Sequence, residues 1–189
     1  CAYDPLDAAW GHGCRGVSYG LWNSSGVTFA NNVAQQPQAG QSNYGCDEPA
    51  YCLYIDQTTG LAVKHFTCHA PASECGVGHG VVIGALQKTP VQVVNSIIST
   101  MAGFGLAGKT GNNGLLVASY SDIYECAAGQ AQNATVSSGC IDLDPLFLNP
   151  EEYIVTLSPT SPAIDHGLGS SDCNNEPFPN GCQVNMGAY

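Results

Sequence analysis

Asp144-Pro-Leu-Phe-Leu-Asn-Pro-Glu-Glu-Tyr-Ile-Val-Thr-Leu-Ser-Pro-Thr-Ser-Pro-Ala-Ile-Asp-His-Gly167, answered further on by Val184-Asn-Met-Gly-Ala-Tyr189, is the stretch whose reading decides the fold. It follows four segments that align with one another: Val27-Thr-Phe-Ala-Asn-Asn-Val33, Leu61-Ala-Val-Lys-His-Phe-Thr67, Val91-Gln-Val-Val-Asn-Ser-Ile97 and Leu115-Leu-Val-Ala-Ser-Tyr-Ser121. Their starts lie 34, 30 and 24 residues apart. Alternation places Val27 and Phe29, Leu61 and Val63, Val91 and Val93, and Leu115 and Val117 on one face, and a polar fifth residue follows at Asn31, His65, Asn95 or Ser119. Burial with a period of two, ended by a polar corner, is the pattern of a short strand and a turn.

Earlier strands are expected in the same units at Val17 to Trp22, Cys52 to Ile55, Val81 to Leu86 and Phe104 to Leu106. Repeats of this length, each with two or three short strands, suit the coils of a β-helix with the surplus looped out at turns. Ala34 to Asp47 reads as one such insertion, and no segment has a convincing amphipathic helical pattern. Asn31, Asn95 and their neighbours are expected to form an internal ladder of side-chain amides that satisfies the turn backbone. The C-terminal stretch resembles the end of right-handed parallel β-helix proteins of the secreted and cell-surface type, in which Asp-Pro-Leu-Phe, Ser-Pro-Ala-Ile-Asp and Gly-Ala-Tyr elements follow the last coils. The resemblance implies an all-β, right-handed parallel β-helix, and it implies little about activity. One domain over 1–189 is expected, with a first coil at 1–25, central coils at 26–143 and a closing segment at 144–189. Asp165 is read as fixing a closing turn.

Only 10% of the chain is charged, and four Lys and Arg stand against fifteen Asp and Glu. The net charge of −11 argues against nucleic acid and anionic membrane as partners, since both need basic surface. Ten cysteines point to an oxidising compartment and so to an extracellular or cell-surface protein stapled by disulfides. Pairing of sequence neighbours is expected: Cys1 with Cys14, Cys46 with Cys52, Cys68 with Cys75, Cys126 with Cys140, and Cys173 with Cys182. Asn23-Ser-Ser25 and Asn133-Ala-Thr135 are candidate glycosylation sites in polar turns. The most apolar stretch, Val91 to Gly108, is interrupted by polar residues and does not read as a membrane span. The chain reads as processed or partial, so its N-terminal edge is expected to continue a longer β-helix or to self-associate into a fibre.

Gly11-His-Gly13 and Gly78-His-Gly80 resemble an element of pectin-hydrolysing β-helix enzymes, but the paired acidic and basic segments of those enzymes are missing. Both histidines are therefore read as turn residues. A uronate lyase needs a basic residue of lowered pKa, for which Lys64 beside His65 is the best candidate, and the acidic surface opposes that substrate. Cys68, His69, Cys75 and His79 have zinc-like composition, but a Cys68 to Cys75 disulfide would dissolve the set. Asp142 and Asp144 are weak calcium candidates within a generally acidic surface; no other cofactor is expected. Trp10, Tyr19, Trp22, Tyr44, Tyr51 and Tyr54 could form an aromatic platform for sugar rings. The reading is a non-catalytic, extracellular structural or adhesive β-helix that forms fibres or contacts glycans, with no catalytic residue assigned. Its alternatives are a polysaccharide-active lyase or glycoside hydrolase and a calcium-dependent binding module.

Overall fold

Runs of Val, Ile, Leu and aromatic residues that are cut every few positions by Asn, Ser or Gly favour short strands over helices. The computed structural model describes residues 17–35, 50–70, 78–152, 154–169, 176 and 183–188, and the chain follows that preference throughout. The strands are β1 (Val17–Trp22), β2 (Thr28–Ala30), β3 (Val33–Gln35), β4 (Ala50–Asp56), β5 (Ala62–Lys64), β6 (Thr67–His69), β7 (Gly78–Ile83) and β8 (Val91–Val94). They continue as β9 (Ile97–Ser99), β10 (Phe104–Gly108), β11 (Leu116–Ser119), β12 (Asp122–Tyr124), β13 (Gly129–Gln132) and β14 (Thr135–Val136). A hairpin of β15 (Phe147–Asn149) and β16 (Ile154–Leu157) follows, around a 3₁₀ turn at Pro150–Glu152.

Each strand from β1 to β11 pairs in parallel with the strand three places further on, so three sheets form in the orders β1-β4-β7-β10-β13, β2-β5-β8-β11-β14 and β3-β6-β9-β12. The protein is all-β, built from stacked parallel sheets. Each repeat segment supplies a second-sheet strand, a two-residue corner and the start of a third-sheet strand. Inward residues of all three sheets share one core, among them Leu53, Val81 and Leu106, Val63, Val93 and Leu116, and Cys68, Ile98 and Ile123. At the fourth repeat the expected face is off by one residue. Leu116 and Ala118 lie opposite Val91 and Val93 and point inward, while Val117 pairs with Gln92 and points out. A slip of one exchanges the two faces of a strand, and the corner residue becomes Tyr120 in place of Ser119.

The corners repeat one conformation: Asn31, His65, Asn95 and Tyr120 have φ of 54°, 47°, 52° and 47°. Asn and His tolerate this left-handed region better than most residues. The expected amide ladder is replaced by a hydroxyl ladder one residue further on. Ser121 Oγ accepts the Ser96 N–H at 3.1 Å, and Ser96 Oγ accepts the Phe66 N–H at 3.2 Å. Each hydroxyl donates to the carbonyl two residues before it, Ser121 to Ser119 and Ser96 to Val94, both at 3.0 Å. A serine reaches both neighbours without filling the corner, so it closes donor and acceptor together.

Gly78-His79-Gly80 is strand, not turn, and Gly80 is required by packing: a Cβ there would overlap the Gly105 carbonyl and the Ile98 side chain. The pairings of Cys46 with Cys52 and of Cys68 with Cys75 are corrected by a Cys52–Cys68 bond with Cα atoms 6.0 Å apart. Both residues face the interior from different sheets and are fully buried, so alternation along the strands brings them together across the core. Cys126 and Cys140, expected as a pair, are free thiols raised by burial, Cys126 to about 11. Cys1, Cys14, Cys46, Cys75, Cys173, Cys182, the first Gly-His-Gly and the loop insertion from Gln36 lie outside the described residues.

The quoted C-terminal stretch docks on the outer face of the third sheet. Its two halves pair with one another: Met186 N–H donates to the Ala163 carbonyl at 2.9 Å, Gly167 N–H to the Val184 carbonyl at 2.8 Å, and Asp165 N–H to Asn185 Oδ1 at 2.9 Å. Asn95 then clamps the segment, its amide nitrogen donating to the Leu168 carbonyl at 3.1 Å and its Oδ1 accepting the Leu168 N–H at 2.6 Å. Ile97 of the sheet is buried together with Ala163 and Met186 of the segment. Asp165 sits in the left-handed region at φ 55°, and it closes the turn through its backbone.

Two outcomes follow. Non-reducing peptide mapping is expected to recover a Cys52–Cys68 cross-link, and recovery of Cys46–Cys52 instead would contradict the interior arrangement. Asn95→Ala removes both bonds to Leu168 and places a Cβ-only side chain in a left-handed corner. Urea denaturation is expected to register a loss of about 1–3 kcal/mol.

Candidate functional site: a polar cleft on the third sheet

Ile98 and Ile123 point into the core, so alternation turns their neighbours outward. The register then lines up His69, Ser99 and Tyr124 in one row, because His69 pairs with Ser99 and Ser99 with Tyr124. The chain leaves β9 and β12 through Thr100 and Glu125, at φ 57° and 49°. The segment from Asp144 to Pro150 crosses in front, with Ser158 and Thr160 behind it. Between sheet and segment lies a cleft of about 450 Å³.

His69 is the centre of this cleft. Its Nδ1 lies 2.9 Å from Ser99 Oγ and 3.2 Å from Thr100 Oγ1, and Thr100 Oγ1 also lies 2.7 Å from the Ser99 carbonyl oxygen. Both hydroxyls can donate to or accept from Nδ1, so this nitrogen is satisfied in either tautomer of the neutral ring. Nε2 is buried and has no hydrogen-bond partner among the described residues. The Phe147 ring meets the imidazole edge-on at 5.2 Å. Burial lowers the His69 pKa, and the Asp144 carboxylate opposes that shift.

Ser99 beside His69 has the composition of a nucleophile and base, but Ser99 is fully buried, so its hydroxyl is closed to a ligand in the cleft.

The rim is acidic. Asp144 and Glu125 are exposed, and Asp144 Oδ1 accepts the Leu146 N–H at 2.9 Å, which shapes the crossing segment. Asp122, fully buried on the same outward side, accepts the Leu143 N–H at 3.3 Å through Oδ1 and has no partner for Oδ2 among the described residues. Burial first, and then Asp142 and Asp144, push its pKa up to about 7. Asp142 and Asp144, the calcium candidates, therefore act on Asp122. No group of three or more His, Cys, Asp or Glu among the described residues is arranged to hold a metal ion.

The zinc-like set comes apart, since Cys68 is bonded inward to Cys52, His69 faces the cleft and His79 belongs to the first sheet. Lys64 is exposed at the end of β5 and His65 is a buried corner residue. The aromatic candidates divide. Tyr19 turns inward against Phe29 and Phe66, with ring centroids 5.2 and 6.3 Å away. Tyr51, His79 and Phe104 stack along one outward row of the first sheet at 6.0 and 5.9 Å, but Tyr51 is only 2% exposed. Tyr54 and the exposed Trp22 extend the row, both steps being 5.7 Å; Trp10 and Tyr44 lie outside the described residues. Asn23 and Asn133 are exposed left-handed corner residues, and the Asn133 amide donates to the Gly108 carbonyl at 3.0 Å.

Sequence reasoning missed Ser99, Thr100, Tyr124, Glu125 and Asp122. No spacing joins them to His69, and only the strand register does. Comparison with protein-family models, with curated proteins and with solved structures finds no match to this chain. No helix among the described residues is long and apolar enough to cross a membrane.

The folded-state pKa of Asp122 is raised, so its contribution to stability is full below the unfolded value near 4 and is lost as pH rises through about 7. Asp122→Asn is expected to abolish that loss and to gain on the order of 2–4 kcal/mol relative to the parent between pH 4 and pH 8. Urea unfolding of both proteins across this range tests it, and parallel pH profiles would contradict it.

Proposed function

We propose that this chain is a right-handed parallel β-helix of the secreted or cell-surface kind and that it binds glycans without cleaving them. The fold reading is supported by the pairing of each strand with the third one following, by the strong right-handed preference of parallel crossover connections, and by the docked C-terminal segment that resembles the end of such proteins. A disulfide buried in the core suits an oxidising compartment.

The cleft carries the functional reading. Thr100, Tyr124, Ser158 and Thr160 offer hydroxyls, Glu125 and Asp144 offer carboxylates, and His69 and Phe147 offer rings. A few directional polar groups beside an apolar face is the composition that holds a sugar residue. Ser99 is buried behind the cleft and is not available to a ligand as a nucleophile.

Calorimetric titration with a panel of neutral, acidic and amino glycans, followed by chromatography of the mixtures, tests both parts. At least one glycan is expected to bind and to be recovered at its original length. His69→Ala is expected to weaken that binding about tenfold, equivalent to about 1.4 kcal/mol. Shortened products would favour the enzyme alternative, and no binding across the panel would remove the glycan role.

A further inference from the structure

Within the C-terminal layer, one asparagine carries a carboxyl group on either side. The Asp165 N–H donates to Asn185 Oδ1 at 2.9 Å, and the Asn185 N–H donates to Glu176 Oε1. Glu176 is only 7% exposed, and its Oε2 is buried without a hydrogen-bond partner among the described residues. The same holds for Asp165 Oδ1, a buried atom on a half-buried side chain. Burial raises the Glu176 pKa, the Asn185 N–H opposes that shift, and the Asp165 charge adds to it, so the two carboxyls act on one another. No described Lys or Arg relieves them. Lys88 acts on Asp56, Lys109 on His79, and Lys64 is exposed at the end of β5.

A buried carboxylate is tolerated only when it is paired with a cation, bound to a metal or protonated. We propose that Glu176 and Asp165 hold a calcium ion that pins the two halves of the C-terminal layer together. The unfilled ligand atoms here are oxygens: Glu176 Oε2, Asp165 Oδ1 and the second lone pair of Asn185 Oδ1. His166, the nearest imidazole in sequence, is exposed and has Nδ1 at 2.8 Å from the Ile164 carbonyl. Oxygen ligands select a hard cation over zinc. Magnesium keeps several of its waters, which suits oxygens closed to solvent poorly, whereas calcium takes irregular sets of carboxylate and amide oxygens. The ion would sit where the layer most needs a tie, between the Met186 to Ala163 and Gly167 to Val184 hydrogen bonds. This site is separate from Asp142 and Asp144, which act on Asp122, and it stands independently of the glycan reading.

The test uses the full chain, stripped with a chelator and melted in calcium, magnesium or sodium chloride at matched ionic strength. At about 10 mM, calcium exceeds the dissociation constants usual for extracellular calcium modules at least tenfold. It is expected to raise Tm by roughly 3–10 °C over sodium, and magnesium by much less. Asp165→Asn and Glu176→Gln are each expected to abolish the calcium shift. Both keep the shape of the side chain, and Gln at 176 retains an acceptor for the Asn185 N–H. Calorimetric titration of calcium chloride into the same proteins reads binding directly, whatever each variant's melting without metal. The double variant Asp142→Asn, Asp144→Asn is expected to keep the shift.

No calcium shift in the parent, with melting that rises only on acidification, would show a proton shared by the two carboxyls and overturn the cation site. A calcium shift that survives Asp165→Asn and Glu176→Gln, or that is lost with Asp142 and Asp144, would place the ion elsewhere and overturn the assignment. An equal response to magnesium would overturn the choice of calcium.

Discussion

The left-handed corner between second-sheet and third-sheet strands is the constraint on which the rest of this structure depends. Stacked parallel strands stay in register only if the chain turns by the same amount at the same place in each repeat. Asn31, His65, Asn95 and Tyr120 provide that turn with nearly equal φ. After two of these corners a small hydroxyl residue disposes of buried backbone groups: Ser96 and Ser121 accept an N–H from the preceding repeat and donate within their own. Loss of either hydroxyl would leave a donor unsatisfied in the interior, where that is most costly.

From this register the cleft follows directly. Because His69, Ser99 and Tyr124 occupy equivalent positions in successive repeats, the turns that follow present Thr100 and Glu125 at one edge. The same corner at Asn95 anchors the C-terminal segment at Leu168, so that one residue both maintains the stack and holds the layer that covers the third sheet. Asp144 and Phe147, in the same covering stretch, meet His69 there. Scaffold and site are thus two consequences of one repeated turn.

Burial sorts the polar groups into different roles. Ser99 is sealed and serves to orient the imidazole, whereas Glu125 and Asp144 remain at the rim, where charge is tolerated. Asp122 is fully buried with no cationic partner among the described residues, and burial raises its pKa to about 7. This is the usual answer of a carboxyl group to desolvation. It also keeps one more negative charge from accumulating beneath the cleft at acid pH.

The sequence by itself determined the strand-rich class, the repeat and the corners. Those depend on alternation and on local turn preferences, which are written in neighbouring residues such as Val91, Val93 and Asn95. It also marked the C-terminal stretch as a unit through the resemblance of its short motifs, and the tertiary structure supplied the hydrogen bonds that join its two halves. It misplaced the face of the fourth repeat, because Leu115, Leu116 and Val117 are all apolar and pattern cannot choose a register among them; packing of Leu116 against Val91 does. Only the tertiary structure decided that Cys52 meets Cys68, that Gly80 is there for contact with Gly105, and that His69, Thr100, Glu125 and Asp144 line one cleft. These residues lie far apart along the chain and are joined by the lateral hydrogen bonds of the sheets, a distance that no local pattern encodes.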